Sequence, residues 1–587
     1  MKPLLLLAAA AASVRGESFD YLIAGAGTAG LVLANRLSAR ANVTVAVIEP
    51  GPDVSRDPAV QSASAFDFAH YNRSINWEWT SAGQPQLGGR ALSYRAGRAI
   101  GGTSAVNGMV YIRGDKAQYD AWEELGNPGW NWASLFSHHK ALETFTPPTP
   151  AQAAHGGSFE PRDHGRTGPL AAGFPLGLSN STFHEAARAT WRALGLEEIR
   201  DLNGGATRGF AIAPQTLERD VGTRASSARA YYEPVRGRAN LKIIRGAVQR
   251  ITWRRDRGGE AVASGFEYVD AQGGLVRVGA RREVVLSASA FVSPLILESS
   301  GVGNPRILSS LGIATKVSLP GVGESMQDHQ SVVSVYSLKR PLAGKLPFST
   351  MVTALDLFGG GGPTASVAAS TRAKLAQWAQ QASAACGGAI SAAAALRRFR
   401  VQHDLIFRRN ATVAELFPTN AAGSSSVVAQ YWTTMAFSWG SVHLSAAPGG
   451  VARPAIDPRT LAVGLDAEML ERVGRLSQRA YGTAPLGDLF ADNTAPGYGV
   501  LPRNATDAQW AAFVRATATN GLHVVGTCAM LPRALGGVVD AAARVYGTRN
   551  VRVVDASIIP MQVSGHTMGP LYGVAEKAAA IIIAGDA

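Results

Sequence analysis

Cysteine is nearly absent: the 587 residues hold only Cys386 and Cys528. So few cysteines imply no disulfide framework, and Cys528 reads as a small buried apolar residue. Long apolar runs are missing too. The longest stretch near the N-terminus, Leu4 to Ala12, is too short to cross a bilayer, so no membrane span is expected. Charged residues make up only 17% of the chain, and the excess of 56 Lys and Arg over 43 Asp and Glu is scattered. Short clusters such as Arg281-Arg282 and Arg397-Arg398-Phe399-Arg400 lack interleaved aromatics, which argues for a solvated basic surface and against nucleic-acid binding. No repeat of roughly 20–50 residues is evident, which argues against a propeller or solenoid.

Glycine, by contrast, is abundant at 65 residues, which suits tight turns and close approach of backbone to a ligand. The length favours two closely packed domains over one. Met1 to Gly16 reads as a secretory signal, with Lys2 as its basic start, the run Leu4–Ala12, and small residues near a cut after Gly16. The sequons at Asn42, Asn72, Asn180, Asn410 and Asn504 fit a secreted glycoprotein.

The first chemical signal follows directly. Phe19 to Ala24 predicts a buried parallel strand, Thr28 to Arg40 a helix, and Val43 to Ile48 a second strand ending at Glu49. Between strand and helix stands Gly25-Ala26-Gly27-Thr28-Ala29-Gly30. In a dinucleotide fingerprint Gly25 makes the tight turn, Gly27 lets backbone approach a pyrophosphate, and Gly30 lets helix and strand pack closely. Glu49 stands where an acid holds a ribose hydroxyl. Further strands are expected at Leu241–Ile244, Val284–Leu286 and Val551–Val554. Helices are expected around Lys374–Ala385 and Ala389–Phe399, and antiparallel strands around Ser425–Met435 and Ser441–Ser445.

Two more segments carry chemistry. Arg95 to Gly108 joins glycines (Gly97, Gly101, Gly102, Gly108) to hydroxyls and an amide (Thr103, Ser104, Asn107), a loop suited to a second part of the cofactor. Near the C-terminus stand His523, in Gly-Leu-His-Val-Val-Gly-Thr-Cys, and His566, in Val-Ser-Gly-His-Thr-Met-Gly-Pro. Imidazole needs little tuning to take a hydroxyl proton near neutral pH. A cofactor motif at one end and a histidine pair at the other suggest one active site closed by both chain ends.

Gly97 to Asp115, Ser289 to Gly303, Leu319-Pro320-Gly321-Val322-Gly323-Glu324-Ser325-Met326-Gln327-Asp328-His329 and Val553-Val554-Asp555-Ala556-Ser557 together resemble the glucose-methanol-choline (GMC) oxidoreductases, in order and over nearly the whole chain from Phe19. Gly536 to Asp540, Arg544 to Gly547 and Val302 to Leu308 carry a nearer likeness to the fungal glucose-oxidising members. The resemblance implies an α/β fold: a Rossmann-like FAD-binding domain and an α+β substrate domain built on an antiparallel sheet with helices. Residues 17–319 would give the first parts of the FAD domain, with substrate-domain insertions near 130–215. Residues 320–505 would form the substrate domain, and 506–587 would return to the FAD domain.

It also implies FAD as cofactor, hydride transfer from a primary alcohol or lactol to flavin N5, and O₂ or another electron acceptor, in a monomer or homodimer. His523 would be the base and His566 its partner. Glu49 would hold the adenosine ribose, and Thr28 and Ala29 would lie at the pyrophosphate. Gly102, Thr103, Asn107, Gly108 and Val110 would line the flavin, and Val248 would meet adenine. Asp555, Ala556, Thr567 and Met568 would close over the cofactor. His70 lies roughly where some members link the flavin covalently, but its surroundings do not match. Metal ligands are not expected.

One departure is informative. Glucose-oxidising members carry an Arg and an Asn four and two residues before the first catalytic histidine, where this chain has Thr519 and Gly521 with Asn520 between. A site without such partners discriminates poorly for a polyol, which favours an aromatic or secondary-metabolite alcohol. A sugar substrate held by other side chains is the alternative. A non-redox cyclisation, as in some FAD-binding family members of fungal biosynthesis, is a third reading.

Overall fold

The computed structural model describes residues 13–63, 70–175, 177–178, 181–254, 259–344, 346–420, 423–446 and 453–585. Met1–Ala12 of the expected leader and the sequon Asn180 lie outside the described residues.

The first sheet has five parallel strands in the spatial order Leu241–Trp253, Val45–Glu49, Ser13–Ala24, Leu275–Leu286, Val551–Val553. Its first strand starts earlier than Phe19 because Ser13 and Val14 continue the pairing against Val276 and Arg277. Tyr21, Leu22 and Ile23 are fully buried, as the unbroken apolar run requires of a strand covered on both faces. Each such Leu or Ile contributes about 1.5–3 kcal/mol relative to exposure. Ala263–Asp270 pairs antiparallel with the later half of Leu241–Trp253 and the first half of Leu275–Leu286.

Helix Thr28–Leu37, shorter than expected because Ser38 caps it, packs against the C-terminal helix Met568–Gly585. The ion pair Arg36–Glu576 at 2.7 Å fastens the two. Both chain ends therefore meet on this sheet. The carboxyl ends of its strands, at Ala24, Glu49, Leu286 and Val553, turn into loops along one edge.

The second sheet is antiparallel, in the order Phe490–Ala495, Gln330–Leu338, Ser426–Thr433, Thr412–Thr419, Phe348–Thr353, Gly209–Ile212. The short strand Thr519–Asn520 also pairs with Gln330–Leu338. Because side chains alternate along a strand, Tyr431 turns to helix Gly464–Gly482 behind the sheet, while Trp432 and Gln430 turn towards the first sheet's loop edge.

The Ala-rich middle is more helical than expected. Its helices run Gly361–Ala385 and Ala392–Phe407 and pack on each other. Gly359 and Gly360, at φ of +85° and +95°, make the turn, so the next glycines enter the helix.

Candidate active site

A cavity of about 970 Å³ lies between the loop edge of the first sheet and the inner face of the second. All the residues expected at the site line it except Gly30. Gly30 is a packing glycine: a Cβ there would stand 2.0 Å from the Gly25 carbonyl oxygen.

At one end the wall is main chain. Gly25 has φ of +102°, and a Cβ on it would meet the Ser287 carbonyl oxygen at 2.5 Å. Gly102 has φ of +51°, and its Cβ would meet the Cα of Gly27 at 2.6 Å, so the two glycine loops touch. The N-terminus of helix Thr28–Leu37 has no side-chain cap and no acid in its first turn, which leaves its N–H groups free for an anionic ligand. Glu49 is buried, and its carboxylate accepts hydrogen bonds from the Ala26 N–H (2.9 Å) and the Gly51 N–H (2.7 Å). Burial pushes its pKa up to about 7. Asp555 braces the neighbouring loop by accepting from the Ser289 N–H at 3.0 Å and the Ser293 hydroxyl at 2.5 Å. This cradle fits a dinucleotide.

Midway along the cavity, Asn107 donates to the Met568 sulfur at 3.0 Å and accepts from the Met109 N–H at 3.0 Å. Buried Arg224, which the sequence did not single out, donates to the Asn107 carbonyl at 2.6 Å and to its Oδ1 at 3.0 Å. Burial lowers its pKa to about 10.

At the far end His523 and His566 come together, ring centroids 5.1 Å apart and nearly perpendicular. The His523 N–H donates to Asp328 Oδ1 at 2.8 Å, and its Nδ1 lies 3.0 Å from Nδ1 of His329. Burial, with the imidazoles of His329 and His566 adding to it, pushes the His523 pKa well below the usual histidine value. His566 Nε2 lies 3.4 Å from Glu415 Oε1, which also accepts from the Ser349 hydroxyl at 2.7 Å. Glu415 had no signal in the sequence beyond its place on an alternating strand. His329 ends a recognisable motif, but only the fold places it behind His523.

The surrounding walls are apolar and aromatic. Phe417 and Trp432 lie edge-on to His566 at centroid distances of 5.3 and 5.4 Å. Val333, Leu346, Val428 and Leu522 complete the lining, with Thr419, Asn420 and Gln430 as polar interruptions. Gln430 donates to the Ser331 hydroxyl at 3.1 Å, and Asn420 to the Gly344 carbonyl at 2.8 Å. Thr519 lies outside this cavity, and the Asn520 amide donates to the Ser93 carbonyl at 2.8 Å. At Gly521 a Cβ would stand 2.9 Å from the His329 Cβ, so a side chain is excluded there. His70 also lines the cavity, its ring edge-on to Tyr71.

Residues 19–331 and 436–575 match the N- and C-terminal family models described as GMC oxidoreductase. The chain is 46% identical over 569 residues to the glucose oxidase-like protein fsoC of Humicola fuscoatra, covering 96% of this chain and 95% of the relative. A solved FAD-dependent oxidoreductase from Chaetomium thermophilum superposes with a TM-score of 0.86 at 27% identity, over 97% of this chain and 99% of that one. A fungal aryl-alcohol oxidase superposes with a TM-score of 0.82 at 25% identity, with the same coverage.

Proposed function

Because the chain belongs to the GMC oxidoreductase family, and is thus an FAD-dependent oxidoreductase acting on CH–OH donors, we propose that it is a secreted enzyme that oxidises an aromatic or other apolar primary alcohol. The observation that carries the substrate class is the Phe417–Trp432 wall beside the histidine pair. Thr519 lies outside the cavity and Gly521 has no side chain, and the amide nitrogens of Gln430, Asn420 and Asn520 each donate to protein. The aryl-alcohol oxidase likeness supports the same class. The expected leader and the exposed sequons Asn42 and Asn504 support secretion. No helix among the described residues is long and apolar enough to cross a membrane.

FAD, when bound, supplies the acceptor for the hydride that leaves the carbinol carbon. The chain's own residues do the rest. Phe417 and Trp432 hold the substrate's apolar body. His523 takes the hydroxyl proton, so that the O–H bond breaks as an N–H bond forms. His566, backed by Glu415, holds the same oxygen by a hydrogen bond, and the aromatic wall lies against the reacting carbon. Arg224 and Asn107 stiffen the floor between the two ends.

The likeness to a glucose oxidase-like protein favours a second reading, in which a sugar is bound by Thr419 and by Asn420 and Gln430 after these two exchange their present partners. Aldehyde formation from benzylic alcohols and from glucose, measured with O₂ and with a dye as acceptors, tests the first reading. Faster turnover of the benzylic alcohols supports it; a preference for glucose overturns it. No oxidation of any alcohol by FAD-loaded protein points to the non-redox cyclisation.

A further inference from the structure

His329 is wholly buried, and its ring has two partners that together fix the protons on two imidazoles, its own and that of His523. Its Nε2 lies 3.2 Å from the Val563 carbonyl oxygen. A carbonyl only accepts, so Nε2 carries the hydrogen. Burial, together with the nearby His566, lowers the His329 pKa to about 3, so the ring is neutral and Nδ1 carries a lone pair. That lone pair faces His523 Nδ1 at 3.0 Å. Two lone pairs would repel there, so His523 Nδ1 must be the donor. In a neutral His523 this leaves Nε2 unprotonated, and Nε2 has no protein hydrogen bond among the described residues.

The surroundings hold this chain of bonds in place. Trp432 stacks over His329 with an interplanar angle of 10°. Asp328 Oδ1 fixes the His523 main chain, and the His523 carbonyl accepts from the Gln562 amide at 2.7 Å. Val563, the terminal acceptor, belongs to the same loop that carries His566. Gly521 is the enabling residue: a Cβ would press on the His329 Cβ at 2.9 Å and approach His523 Nδ1 to 3.5 Å.

We propose that His329 is a positioning residue for alcohol oxidation: through the relay Val563 C=O, His329, His523 it holds His523 in the Nδ1–H tautomer and so presents an unprotonated Nε2 to the substrate hydroxyl. This rests on His523 being the base. The relay also gives a physical role to the glycine at 521, which leaves room for the imidazole at 329. The other titratable groups facing the pair are Asp328 on the main-chain side, and His566 with Glu415 behind it.

The test uses FAD-loaded protein. His329→Leu removes the acceptor at similar volume. His329→Asn keeps one, because its Oδ1 is bonded to Cγ as the imidazole Nδ1 is. The expected result for His329→Leu is a fall in kcat of about 10–100-fold with KM unchanged, FAD content retained and the pH profile of kcat/KM altered. His329→Asn is expected to recover most of the rate. A wild-type rate in folded His329→Leu overturns the proposal, as does equal loss in the Asn variant.

Should the Leu variant not fold, nitrogen-15 histidine spectra of the wild type decide. An unprotonated Nδ1 on His329 and a protonated Nδ1 on His523 support the relay; the reverse assignment contradicts it. His523→Gln, measured alongside, separates the two levels: full activity there overturns the base assignment itself, whereas its inactivity beside an active His329→Leu overturns only the relay.

Discussion

At the cofactor end of the cavity the wall is backbone, shaped by Gly25, Gly27 and Gly102 and by the uncapped start of helix Thr28–Leu37. At the reacting end it is side chains, Trp432, His523 and His566 on the wall with His329 and Glu415 behind the histidines, brought from five separated segments. A backbone wall recognises what any dinucleotide offers, phosphates and a ribose, and depends on local turns. A side-chain wall recognises one substrate class and depends on tertiary packing. The two ends should therefore fail separately, the first by losing FAD and the second by losing turnover or preference.

The largest effect is expected from His523→Ala, with kcat/KM lowered by about 10²–10⁴-fold and the bound flavin spectrum retained. Loss of FAD with activity would break the comparison, because the reacting end would then be holding the cofactor too. Gly102→Val is the mirror case. A side chain 2.6 Å from the Gly27 Cα, on a left-handed backbone, forces the two glycine loops apart. The folded protein should purify with little FAD, as read from its visible absorption.

Much of the cofactor end was legible in the chain because its signals are local: glycines at fixed spacing, a buried apolar strand, an acid about twenty residues on. Glu49, Asn107 and Val248 all reach the cavity. The reacting end was legible only in part. His523 and His566 stood out as residue types, but their backing did not, since nothing in local sequence brings Glu415 of one strand to His566 of a distant loop. The same limit applies to Arg224, an unremarkable arginine until the fold buries it beside Asn107. The helix start at Gly361 was missed because two left-handed glycines before it do the turning that a longer glycine run suggested.

Glu415→Gln should sharpen the contrast between the histidines. It removes the charge behind His566, and a fall in kcat of about 10–100-fold is expected with FAD content unchanged. Phe417→Ala should act on preference: kcat/KM for a benzylic alcohol falls by about 10–100-fold while a short aliphatic alcohol is little affected, as competition assays would show.

The smallest effect is on stability. The neutral His329 and His523 take up no proton in the folded chain, while the unfolded chain protonates below its ordinary value of 6.5. Their contribution is thus fully present above that pH and falls as pH drops below it, that of His329 being lost towards about 3. Urea midpoints between pH 7 and about 4 should fall less steeply in His329→Leu than in wild type.

The central claim is that an alcohol held beside Trp432 loses its proton to His523 while its hydride reduces FAD. Anaerobic mixing of oxidised holoenzyme with a benzylic alcohol, followed at the visible flavin band, tests it most directly. Rapid bleaching in the wild type, and slow or absent bleaching in FAD-loaded His523→Ala, is the predicted result. Bleaching at equal rates in both proteins would contradict the account.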